Sequence, residues 1–132
     1  MKFKEPKFRC PTKAAIEKLA AIFSLPIDPY SQDWQWEVAD PTRIPEFLGE
    51  YKNGTLTDDE KFTLLEILLQ SFEESALDLK SNAHWYELLK LIGNNYKLHE
   101  YTVWYWSAAD AKTKDEQWII TPYMRELYAS NA

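Results

Sequence analysis

One cysteine, three glycines and two histidines among 132 residues set narrow limits on the chemistry this chain can perform. A lone Cys10 cannot close an internal disulfide or assemble a cysteine metal site, so stability has to come from packing. Gly49, Gly54 and Gly93 are too few and too scattered for a phosphate-cradling loop or a dinucleotide turn, which excludes the common nucleotide enzymes. His84 and His99 follow no HExxH spacing and have no cysteine support, so a metal would need carboxylates brought in by the fold. No cofactor or metal is expected. Long hydrophobic runs are missing as well. The stretch from Phe62 to Leu69 is interrupted by Thr63 and Glu66 and falls far short of the roughly 20 apolar residues of a membrane span. The opening MKFKEPKFRC is basic without the apolar core of about 7 to 15 residues that a secretory signal carries, which points to a soluble, cytoplasmic protein that does not associate with membranes.

Local nucleophile and acid–base signatures are equally sparse. Ser71, Ser75, Ser81 and Ser107 belong to no GxSxG elbow or SxxK arrangement. The pairs Asp58-Asp59 and Glu73-Glu74 are adjacent, and adjacent helical positions point in different directions. A calcium loop of DxDxDG type is absent. Cys10 has Lys7, Arg9 and Lys13 nearby, cations that favour a reactive thiolate, but it precedes Pro11 with no evident general base, the setting of an idle thiol.

Two features are abundant. The first is aromatic side chains, 15% of the chain, with 6 Trp and 8 Tyr against 6 Phe. Most must be structural, since a domain this size buries about two thirds of its unfolded surface. Trp and Tyr nevertheless suit half-wet positions and are enriched at interfaces, so some should line a surface. The second feature is charge segregation within a net −6. Residues 1–18 hold six Lys and Arg against two Glu, whereas residues 28–78 hold 13 Asp and Glu against Arg43, Lys52 and Lys61. An acidic middle of this kind repels nucleic acid and favours a cationic partner, or is a solvated surface. The basic arm, residues 1–11, alternates Phe3 and Phe8 with Lys2, Lys4, Lys7 and Arg9, a pattern that can stack on bases. The acidity of the whole chain argues against nucleic acid and for an arm that packs Phe3 and Phe8 on the body or pairs with the acidic middle.

The periodicity predicts a mainly α fold, a single domain over 1–132 built as a compact bundle of about five to six helices. Thr12 caps a helix with Ile16, Leu19, Ala20 and Phe23 on one face, ending near Ser24 before Pro26. Residues 25–40 contain two prolines and alternate Trp34, Trp36 and Val38, which predicts an extended connection. Asp40-Pro41 opens a second helix carrying Ile44, Phe47, Leu48 and Tyr51, made irregular by Pro45, with Asn53-Gly54 expected to supply a left-handed exit. Thr57-Asp58-Asp59-Glu60 is a capping box, and the broad apolar stripe of Asp58 to Glu74 marks a central helix. Ser81 or Asn82 caps a helix through Trp85, Leu88, Leu89 and Ile92. Tyr96 to Trp106 reads as a helix through Leu98, Tyr101, Thr102 and Tyr105. Its strand-favouring composition also allows a small β-hairpin near the C-terminus, Thr102–Trp106 with Gln117–Ile120. Thr121-Pro122 opens a last helix, Tyr123 to Tyr128.

The runs Trp85-x2-Leu88-Leu89, Tyr105-Trp106-Ser107 and Ile120-Thr121-Pro122-x2-Arg125, in an acidic helical domain, resemble the small immunity proteins of bacterial polymorphic toxin systems over residues 34–128. The resemblance is one of character and transfers no residue by position. It implies a non-catalytic protein that binds a toxin domain inside the producing cell and blocks it; many such toxins are cationic. On that reading Tyr30, Trp34 and Trp36 are the first aromatic anchors, Asp33, Glu37 and Asp40 their charged rim, and Trp104 and Trp106 a second pair. The competing classes are a small enzyme with a fold-assembled site around His84, His99 and Glu100, and a structural or regulatory subunit.

Overall fold

The computed structural model describes residues 3–131, apart from the side chain of Lys114. Met1, Lys2 and Ala132 lie outside it, and with them the Lys2 part of the basic-arm expectation. The chain is mainly α, with seven helices, three 3-10 turns and no strand among the described residues. Contacts group the chain into two compact units, Cys10–Asp78 and Met1–Arg9 together with Leu79–Ala132.

In the first unit, α1 (Lys13–Phe23) starts where Thr12 Oγ1 accepts from the Ala15 N–H at 3.1 Å. It ends at Ser24, whose φ of 55° lets the Leu25 N–H close back on the Ala20 carbonyl at 2.9 Å. The expected extended connection over 25–40 is corrected: Trp34–Glu37 forms a one-turn helix, α2. The Asp33 carbonyl accepts from the N–H groups of both Trp36 and Glu37, which turns an apparent period of two into a helical one.

Asp40 then caps a 3-10 turn, Pro41–Arg43, through Thr42 and leads into α3 (Ile44–Asn53). Pro45 sits in the first turn of α3, where its missing N–H has no partner to lose. The expected left-handed exit at Gly54 is absent; its φ is −77°. Glycine is needed there because a Cβ would stand 2.6 Å from the Glu50 carbonyl oxygen. The capping box is complete, with Thr57 Oγ1 and Glu60 each serving the other's backbone N–H. It opens α4 (Asp58–Glu74), against which α1, α2 and α3 all pack. Leu64, Leu65, Ile67, Leu68 and Leu69 are fully buried, and each such side chain contributes roughly 1.5–3 kcal/mol of transfer free energy.

In the second unit, Asn82 accepts from the Trp85 N–H and caps α5 (Ala83–Asn94). A single residue, Asn95, separates α5 from α6 (Tyr96–Trp106), and α6 packs against α7 (Thr121–Asn131). The C-terminal hairpin reading is thereby corrected. Leu98, His99, Thr102, Val103 and Trp106 are buried at three- and four-residue intervals, so packing overrides the strand propensity of the aromatic run. The arm packs on this unit as expected. Phe3 lies 5.0 Å from the Tyr128 ring, Phe8 lies 5.2 Å from Tyr101, and the Lys4 N–H donates to Tyr128 Oη at 2.7 Å.

Candidate functional site

The connection between α1 and α2 is a tethered loop. At its base the Trp34 indole N–H donates to the Pro26 carbonyl at 2.7 Å. At its tip Asp28 receives two bonds, from the Tyr30 N–H to the carboxylate and from the Ser31 N–H to the carbonyl. Ser31 Oγ also donates to the Glu37 carboxylate, tying the tip to α2. These bonds fix the backbone on either side of Tyr30, whose residue is 90% exposed, with half-exposed Ile27 close by in sequence. Exposed Asp28, Asp33 and Glu37 belong to the same stretch.

The expected anchors are therefore divided. Tyr30, Asp33 and Glu37 are at the surface. Trp34 is corrected from projecting anchor to core residue, 4% exposed, because the helical turn directs its ring inward and its N–H is spent on Pro26. Trp36 is half-buried, and its indole N–H donates to the buried Glu66 carboxylate at 2.8 Å. Asp40 is a cap before it is a rim charge. Its carboxylate accepts from Thr42 Oγ1 and the Thr42 N–H, and these bonds lower its pKa. Trp106, expected as a second anchor, is corrected to core at 2% exposure.

Fourteen Asp and Glu stand against five Lys and Arg in Cys10–Asp78, a net −9. One of those five, Arg43, is spent internally: it donates to the Phe23 carbonyl at 2.8 Å, pairs with Glu46 and lies over the Phe23 and Phe47 rings. The Arg43 hydrogen bond also lowers the pKa of Glu46.

Trp104, half-buried, lines a concavity of about 380 Å³ in the second unit with Tyr105, Trp118, Asp110 and Glu116. Sequence reasoning missed the last four. The available signal was the triplet Trp104-Tyr105-Trp106, since three consecutive rings on a helix cannot all face one core.

The histidines of the enzyme alternative differ in environment. His84 is exposed in the first turn of α5, whereas His99 on α6 is fully buried. Glu100 forms an ion pair with Lys97 at 3.4 Å. No three His, Cys, Asp or Glu side chains converge as a metal site among the described residues, and no described helix is long and apolar enough to cross a membrane. Cys10 is exposed and forms no disulfide. No protein-family model matches the chain, and comparison with curated proteins and with solved structures found no match.

Proposed function

We propose that this protein is a non-catalytic binding domain of the immunity kind, acting in the cytoplasm to neutralise a basic toxin domain through its acidic first unit. The observation that carries this reading is Tyr30, 90% exposed on a loop tethered at Pro26, Asp28 and Ser31 and set among carboxylates. A large exposed ring on a tethered backbone is a form that interface anchors take, and surrounding charge of one sign steers a partner of the other. The net −9 of the unit supplies that steering.

A neighbouring reading frame must then encode a basic toxin domain, and the test uses that product in catalytically disabled form, with kinetics followed by stopped-flow fluorescence. Tyr30→Ala is expected to cost about 2 kcal/mol of affinity, expressed mainly in faster dissociation. Asp33→Lys is expected to slow association with little change in release, and raising salt should weaken the wild-type complex steeply. Salt-insensitive binding, or a complex indifferent to Tyr30, would overturn the proposal.

A further inference from the structure

The concavity beside Trp104 has walls of a distinct kind. The Tyr105 and Trp118 rings lie nearly parallel, 5.5 Å apart at 22°, and Trp118 is backed by the buried Trp106 ring at 4.7 Å. Thr121 fixes this arrangement from behind, its hydroxyl donating to the Trp106 carbonyl at 2.9 Å while accepting from the Trp118 N–H at 3.1 Å. Beyond α6 the chain reverses at Ala108, whose φ is 50°. Arg125 holds that reversal by donating to the carbonyls of Ser107 at 2.7 Å and Ala108 at 2.8 Å. The two charged side chains lining the space are Asp110 and Glu116, and among the described side chains no Lys or Arg does. Glu116 is itself positioned, accepting from the Lys112 N–H at 2.6 Å.

Tyr105 and Trp118 stack on each other and Trp118 also packs on Trp106, so an incoming group meets the outer side of this ring cluster together with Trp104 and two carboxylates. Such a lining suits an organic cation, because π-electron density and carboxylate both favour positive charge. The choice between cations follows from shape and solvation. Both carboxylates are exposed, so a compact ammonium gains little by leaving its water for them. A guanidinium is planar, weakly hydrated, stacks on flat rings and forks to a carboxylate. The source follows from the described lining: with no cation among its described side chains, the α-carboxylate of a free amino acid gains no countercharge from them. We propose that the Trp104–Tyr105–Trp118 concavity binds the guanidinium of an arginine side chain presented by a polypeptide. The site is independent of the Tyr30 loop and does not rest on the function proposed above. Another concavity of this unit, lined by Lys7, Arg9 and Lys97 with Glu100, carries a net positive lining and serves as an internal control.

The experiment titrates the full chain with N-acetyl-L-arginine methylamide, following tryptophan fluorescence and the indole N–H resonances by NMR. The expected Kd is below about 1 mM, the affinity of a single well-placed side chain. The lysine analogue should bind at least about fivefold more weakly, and the neutral citrulline analogue at least about tenfold more weakly. Asp110→Asn and Glu116→Gln, both at exposed side chains, should each weaken arginine binding by about three- to tenfold. Lys97→Ala and Tyr30→Ala should leave it unchanged. Resonance shifts should centre on the Trp104 and Trp118 indoles. Equal affinity for the citrulline or lysine analogue, indifference to both carboxylate substitutions, shifts centred elsewhere, or no binding would overturn the assignment. Tighter binding of free L-arginine than of the blocked amide would overturn the polypeptide source.

Discussion

Thr102 is a fully buried hydroxyl in the middle of α6 that makes no hydrogen bond among the described residues. Burying an unsatisfied polar group costs about 1–3 kcal/mol. Thr102→Val keeps the branched shape and removes the hydroxyl, so the variant is expected to be as stable as the wild type or more stable by about 1 kcal/mol, read from urea midpoints at constant slope. A loss of stability would reveal a partner for the hydroxyl. Single residues were also where sequence reading erred most. Trp34 and Trp106 are as amphipathic in isolation as Tyr30 and Trp104; a one-turn helix buries Trp34, and the face of α6 that carries Val103 buries Trp106. Which ring projects is decided by the neighbours that occupy the remaining faces, and no single position carries that information.

At the level of elements, legibility followed length and the presence of end signals. α1, α3, α4 and α5 each span enough turns for their apolar spacing to show, and each begins at a cap or a first-turn proline that the sequence displays. α2 has four residues, too few to distinguish a helical period from alternation. α6 is long enough, but its aromatic and β-branched composition suits either state until neighbours decide. The capping box of α4 gives the sharpest test, because the helix it starts is the one that α1, α2 and α3 pack on. Thr57→Ala removes the bond to the Glu60 N–H and is expected to cost about 1 kcal/mol, with Thr57→Ser restoring most of it in thermal or urea unfolding. An unchanged midpoint in Thr57→Ala would show that packing alone sets where α4 begins.

Over the whole molecule the charge asymmetry was plain in the sequence, whereas the division into two units was not, because residues 1–9 join a unit whose remaining members begin at Leu79. Acid stability reports on the anionic unit. Asp40, held by the Thr42 hydroxyl and N–H, and Glu46, held by Arg43, both titrate below their ordinary values of 3.8 and 4.5. An unfolded chain therefore binds more protons than the folded one through that range. The stability these groups lend is present above the ordinary values and is lost as pH falls through the lowered ones. Combining Asp40→Asn with Glu46→Gln is expected to flatten the decline of the urea midpoint below about pH 5 while leaving the neutral region nearly parallel to wild type. An unaltered acid limb would mean that other carboxylates carry the transition.

The bond between Lys4 and Tyr128 has a consequence for biosynthesis. The two residues are 124 positions apart, so at roughly 5–20 residues per second the segment around Lys4 waits about 6–25 s after its own translation for the docking site on α7. Residues 10–78, by contrast, hold every helix of their unit and are free to fold while the ribosome is still reading the remainder. The chain thus matures out of order, residues 3–9 settling after the helices of 10–78 that are made later than they are.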